Sequence, residues 1–436
     1  MEEPLLSRFL GMFSRKIPRM DLLRSGMLTA LVLTSVLLGL GLGCKERGKG
    51  HLTRLTQGEP PPQRPQAPRP GGQDPIILSR PQSMTGTIPE FLTATLLPGR
   101  GMNVLQITAF VPGRGEISLL SAPTLEEANK LMTGKGDDAN GNASLQAGAA
   151  FMAPFAGRVF GTLNQNENAV TTSWRGHSIT LPANVSAGSN SQEAISNGGL
   201  LLNLPADNAE MNTMPDGGEA KASFDAEDFH GRWPSKTKFV TSVFMSGRAV
   251  DLVVTATNTG TEPEPMGIGW NPTFVIPSGD RAQARLRMSN AERVETTNKK
   301  TLLPSGRVVP VANTPYDFTA RGGRSLDALS LDDEFVHLKP AFLDNGPTVE
   351  LIDLAANFGL RITALTLSVK DFRIVAPAGK PVISIQPLMD HSDPFGHAWA
   401  KDEDTGMVTL APGQSVQWKV RLELFVPRKL SAADKL

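Results

Sequence analysis

Asp390, His391, Asp393 and His397 lie within one short stretch, Met389-Asp390-His391-Ser392-Asp393-Pro394 and the residues just after it. Carboxylates beside imidazoles exchange protons near neutral pH, so this stretch could supply a general acid and a general base. The same residues also suit a polar loop. His391 and His397 could share a metal, but six residues apart and with no third ligand at a recognised spacing they make no metal motif. His337, in the strand-like Phe335-Val336-His337-Leu338, reads as a structural histidine, and His230 stands before a strand in His230-Gly231-Arg232-Trp233-Pro234. Asp138, Asn140 and Asn142 begin like a calcium loop, but the central Gly and the bidentate Glu are misplaced, and the stretch reads as a plain loop. The sequence has no Gly-rich phosphate loop, serine nucleophile elbow or dinucleotide fingerprint, so no cofactor is called for.

Strands must position these groups. Ala282, Ala284, Leu286 and Met288 alternate with polar residues, as do Val416, Trp418, Val420, Leu422 and Leu424. Runs at Val104 to Phe110, Glu116 to Leu120, Phe239 to Phe244, Val250 to Thr257, Ile362 to Val369 and Val382 to Ile385 behave likewise, between Gly, Pro, Asn and Asp turns. Gly 42 and Pro 34 with a single Tyr fit a strand-and-turn protein. Thr124 with Glu127 forms a capping box, predicting one short helix with Ala128, Leu131 and Met132 on one face. The Gly-rich stretches Gly134 to Asn142 and Asn208 to Gly218 read as surface loops. The expected fold is all-β, a large sandwich of antiparallel sheets with few short helices, in one domain over residues 84–428 with a tail at 429–436.

Lys plus Arg equals Asp plus Glu at 43 each, so there is no basic excess for neutralising phosphates and nucleic acid is not an expected partner. Arg8, Arg15, Lys16, Arg19 and Arg24 precede an apolar run from Met27 to Gly43, then Cys44 and Lys45-Glu46-Arg47. This is the pattern of an export signal. It resembles a bacterial lipoprotein signal, which implies lipidation of Cys44, residues 1–44 as signal and anchor, and a body held at the membrane outside the cytoplasm. Gly41 stands where such signals usually carry Leu, and an uncleaved anchor is the alternative. Cys44 is the single cysteine, which excludes an intramolecular disulfide framework and Cys-rich metal sites. Residues 45–83, rich in Pro, read as an extended disordered tether.

Four segments, in order, resemble the aldose 1-epimerase (galactose mutarotase) family. They are Ala153-Pro154-Phe155-Ala156-Gly157-Arg158-Val159; Gly267-Ile268-Gly269-Trp270-Asn271-Pro272-Thr273-Phe274; Leu303 to Val311 through Thr314-Pro315-Tyr316-Asp317-Phe318 and Leu331-Asp332-Asp333-Glu334-Phe335; and Ile383-Ser384-Ile385-Gln386-Pro387 with Leu410-Ala411-Pro412-Gly413. The resemblance implies a β-supersandwich whose concave side binds a hexose. It further implies a glutamate base and a histidine acid acting on the anomeric hydroxyl and the ring oxygen, with a second histidine and an arginine holding the sugar. Three of those four groups differ here. The glutamate position reads Gln386, the histidine before Pro272 reads Asn271, and the other histidine position reads Asn197 or Gly198, whereas Arg158 and Asp332 match.

Amides keep the shape and hydrogen bonding of a sugar site but cannot exchange protons near neutral pH. General acid or base catalysis is typically worth roughly a hundred- to ten-thousand-fold per group. The expectation is therefore a carbohydrate-binding relative with weak or absent mutarotase activity. The alternative is an active epimerase with groups relocated to Asp390, His391, Asp393 or His397. A third class, a structural envelope protein that lost the site, predicts that Arg158 and Asp332 do not converge. Of Trp174, Trp270 and Trp399, Trp270 is the expected stacking surface, because it adjoins Asn271.

Overall fold

The computed structural model describes residues 67–185, 193–298, 301–341 and 343–428. Cys44 and the apolar segment before it lie outside the described residues, as does the tether up to residue 66. These described residues form an all-β body of antiparallel sheets with two short α-helices.

The largest sheet has nine strands in the order Asn208–Met214, Gly217–Glu227, Thr237–Met245, Ala249–Asn258, Ser415–Phe425, Phe358–Ala364, Thr348–Asp353, Ala284–Met288 and Arg324–Ser325. Its alternation is that of the sequence. In Ser415–Phe425, Trp418, Val420 and Leu422 are fully buried between more exposed Gln417, Lys419 and Arg421. Phe151, from a second sheet, meets Trp418 edge to face at 6.2 Å between ring centroids, so the two sheets share one core.

That second sheet has eight strands and carries the residues of interest. Its path is Pro304–Pro310, Asn290–Thr296, Leu331–Lys339, Asp371–Ala376, Val382–Leu388, Gly269–Asn271 and Ala150–Met152, and Thr273–Val275 also pairs with Val382–Leu388. Pro272 has no N–H to donate, and it separates the two short strands on either side of it.

Two expectations about organisation change. The ordered body begins well before residue 84, because Ile76–Ser79 pairs in register with Glu90–Leu97 and buries Leu78, and Pro70 is buried in a turn at Pro70–Gly72. A Pro-rich composition excludes helix but not an edge strand, which is why residues 67–83 read as tether. Asn208–Met214 and Gly217–Glu227 form a paired hairpin, not a loop; the former is too polar to show a buried face. The predicted helix forms at Leu125–Leu131 with both capping-box bonds, burying Ala128 and the following Met132 but leaving Leu131 exposed.

Candidate functional site

Register places four polar side chains in one row across the eight-stranded sheet. Glu334 is paired with Arg373, and Arg373 with Gln386. Gly269 pairs with Leu388 and Thr273 with Ser384, which sets Asn271 opposite Gln386. Directly opposed residues of antiparallel strands point to the same face, so Glu334, Arg373, Gln386 and Asn271 project together.

Hydrogen bonds fix Gln386 to Asn271 and Arg373 to Asp332. Gln386 donates through Nε2 to Asn271 Oδ1 at 2.8 Å and to Ser384 Oγ at 3.0 Å. Asn271 donates through Nδ2 to the Leu145 carbonyl at 3.1 Å. Since a carbonyl only accepts, that bond orients the Asn271 amide and turns its oxygen toward Gln386. Arg373 donates through Nε at 3.0 Å and Nη2 at 2.7 Å, both to Oδ1 of Asp332. Asp332 lies two residues before Glu334 on the same face, with its side chain 41% exposed, so this end of the row reaches solvent.

Arg158 joins them from a separate small sheet. It opens the strand Arg158–Asn164, paired with Asn197 of Glu193–Asn197, and its Nη1 donates to the Thr301 carbonyl. Burial and the neighbouring Arg373 lower its pKa to about 10, while Asp332 and Glu334 oppose that shift. The guanidinium therefore stays charged near neutrality and shares one electrostatic neighbourhood with Arg373 and Asp332. Asn197 is half-buried, and its backbone N–H donates to Asn184 Oδ1 at 2.8 Å. Gly198 and Gly199 follow at φ 85° and 80°; a Cβ on Gly199 would stand 2.3 Å from the Ala153 carbonyl oxygen, so only glycine passes there. Arg158 and Asp332 thus both neighbour Arg373, whose cross-strand partner is Gln386.

Trp270 does not belong to this group. It is fully buried, donates Nε1–H to the Ala149 carbonyl at 3.0 Å and packs against Phe274. Adjacent strand residues face opposite sides, so the proximity to Asn271 that suggested a stacking role puts its ring in the core instead.

Asp390 and Asp393 both accept backbone hydrogen bonds. The Asp390 carboxylate accepts from the Ala156 N–H at 3.0 Å and the Gly157 N–H at 3.3 Å, and burial pushes it up to about 7. Asp393 accepts from the Phe160 N–H at 3.2 Å, and burial raises it to about 6. Both brace the chain on either side of Arg158. His397 is exposed. His337 is held by Glu292 Oε2 at 2.6 Å and Glu403 Oε1 at 2.9 Å, and both bonds raise its pKa against the effect of burial. Asp138 accepts from the buried Arg100 at 2.8 Å and has an ion-pair role in place of a calcium-like one.

Arg373 and Asp371 carry no motif; alternating with Phe372 and Ile374 they give a strand one polar face, while Ser384 lies in the segment that holds Gln386. Asp371 and His391 gather about Glu334 at the end of the row. Burial and the adjacent Glu334 carboxylate raise Asp371 well above the ordinary carboxylate range. Glu334 lies below that range. Burial pushes it up, but the facing Asp371 carboxyl, His391 and the Ser392 amide outweigh burial.

The aldose 1-epimerase family model matches residues 140–423, more than half of the chain. The chain belongs to the aldose 1-epimerase family. None of the curated proteins matches its sequence. Among solved structures, a galactose mutarotase-like protein from Clostridium acetobutylicum superposes with a TM-score of 0.62 at 15% identity, over 81% of this chain and 99% of that one. An aldose epimerase homologue from C. elegans gives 0.57 at 19%, over 81% and 99%. Galactose 1-epimerase from Lactobacillus acidophilus NCFM gives 0.52 at 13%, over 81% and 99%. At these identities the likeness is one of fold, and the matched span of this aldose 1-epimerase family member contains every residue of the polar row.

Proposed function

We propose that this member of the aldose 1-epimerase family binds a hexose and has weak or absent mutarotase activity. A sugar substrate follows from the family; the loss of turnover is read from one observation, the 2.8 Å bond between the amides of Gln386 and Asn271 at the positions of the family base and acid. Two amides can orient hydroxyls, but neither takes up nor releases a proton near pH 7. Arg158, Arg373 and Asp332 supply charged partners for sugar hydroxyls at the open end of the row, and charge-assisted bonds to neutral groups are the stronger kind.

Calorimetric titration of the full chain with a panel of hexoses, beside polarimetry on freshly dissolved α-glucose and α-galactose, tests this reading. Saturable binding without acceleration of mutarotation is expected. Saturable acceleration would overturn it.

An active epimerase with relocated groups draws on one feature, the approach of His391 Nδ1 to Asp371 Oδ2 at 3.5 Å. Both residues are nearly sealed, at 1% and 0% exposure, and neither bonds to Asn271 or Gln386.

We further propose that Cys44 is lipidated and holds the domain at the outer side of a bacterial membrane, on the strength of the basic, apolar and small-residue pattern before it. Fractionating cells that express Cys44→Ser checks this: release from the lipoprotein fraction is expected, and unchanged membrane retention would favour an uncleaved anchor.

A further inference from the structure

Glu334, Asp371 and His391 bring three ligand atoms within 4.8 Å of one another, all in buried residues. We propose that they form a binding site for one divalent transition-metal ion, with Zn2+ the best match, clamping the strands Leu331–Lys339 and Asp371–Ala376 to the segment after Val382–Leu388. One imidazole nitrogen with two carboxylate oxygens is a donor set that Zn2+ accepts, and water completes its tetrahedron.

The partners of these groups are what single the cluster out. Neither ring nitrogen of His391 has a hydrogen-bond partner among the described residues, although the residue is 1% exposed, and the oxygens of Asp371, at 0%, find no donor other than a proton shared with the facing Glu334 carboxyl. Buried polar atoms left in this way are rare. The 3.5 Å between His391 Nδ1 and Asp371 Oδ2 is long for a hydrogen bond, yet donors about 2.0–2.1 Å from a tetrahedral Zn2+ stand roughly 3.4 Å apart.

Surrounding groups orient the donors as metal sites require. Glu403 Oε1, held by His337 at 2.9 Å, lies 3.6 Å from His391 Nε2, beyond hydrogen-bond length and on the far side of the ring from Asp371, where its charge favours a proton on Nε2 and leaves Nδ1 to face the metal. The Ser392 N–H donates to Glu334 Oε1 at 2.7 Å and steadies that carboxylate. Asp390 adds a further buried carboxyl, and the adjacent cation, Arg373, is bonded to Asp332. A cavity of about 530 Å³ lined by His337, Lys370, His391 and Asp404 provides an approach for the ion and for its water.

A proton shared by Glu334 and Asp371 is the competing way to relieve the same crowding. The full chain, stripped with chelator, is titrated with Zn2+ against a chromophoric competitor, alone and as Asp371→Asn, His391→Gln and Glu403→Gln, with near-ultraviolet circular dichroism of each metal-free variant. Wild type should bind one equivalent and melt at a higher temperature with it. Asp371→Asn and His391→Gln should lose that equivalent. Glu403→Gln, at a partly exposed positioning residue that leaves all three ligands in place, should bind about 10- to 100-fold more weakly. Absence of an equimolar site in wild type overturns the proposal, as does a site that survives in Asp371→Asn. Should the two ligand variants lose their tertiary signal, Glu403→Gln decides: unchanged affinity there overturns the proposed arrangement.

Discussion

Gln386 and Asn271, 115 positions apart, face each other across paired strands and bond amide to amide at 2.8 Å. Each consumes hydrogen-bonding capacity of the other, and their further partners, Ser384 Oγ and the Leu145 carbonyl, belong to the scaffold. The pair is therefore built into the sheet and stands beside the charged end formed by Arg373 and Asp332.

Restoring titratable groups should create activity. Gln386→Glu combined with Asn271→His is expected to raise mutarotation of α-galactose or α-glucose by at least about a hundredfold over wild type, the lower range for one well-placed acid or base. Polarimetry measures it. No gain would mean that the pocket itself has been remodelled.

Asp332→Ala should weaken hexose binding about 10- to 100-fold, since a hydrogen bond to a charged group contributes about 1.5–3 kcal/mol. The side chain is 41% exposed, so the fold should survive its removal. Calorimetry reporting wild-type affinity would place the sugar elsewhere.

Trp270→Phe should cost stability and leave sugar affinity alone. The Ala149 carbonyl would lose the indole N–H that bonds it at 3.0 Å while keeping the Val104 N–H, a loss of about 0.5–1.5 kcal/mol for the one hydrogen bond. Urea unfolding monitors the first effect and hexose titration the second; a large drop in affinity at unchanged stability would restore Trp270 as a sugar contact.

Glu264 sets a pH dependence. Burial raises its carboxyl from 4.5 to about 7, only partly offset by the hydrogen bond from Thr237. The folded chain therefore keeps a proton that the unfolded chain has lost across this interval. The stability this contributes is complete below pH 4.5 and is lost as pH rises through about 7. The whole change is on the order of 3 kcal/mol. Denaturant midpoints at pH 5 and pH 8 should differ more in wild type than in Glu264→Gln; equal differences would discount the group.

Strand alternation was legible from the residues alone at Val416 to Leu424, and the helix cap at Thr124 and Glu127, because each depends only on neighbours a few positions away. So was the chemical character of Asn271 and Gln386, since an amide does not titrate in any surroundings. What no local pattern could supply was which strand lies beside which. Arg373 entered the row because Asp371–Ala376 inserts between Leu331–Lys339 and Val382–Leu388, and Trp270 left it because the core lies on its side of the strand. The meeting of Glu334, Asp371 and His391 has the same origin. A period of two states which residues share a face, while pairing over long separations and the position of the core decide what that face meets.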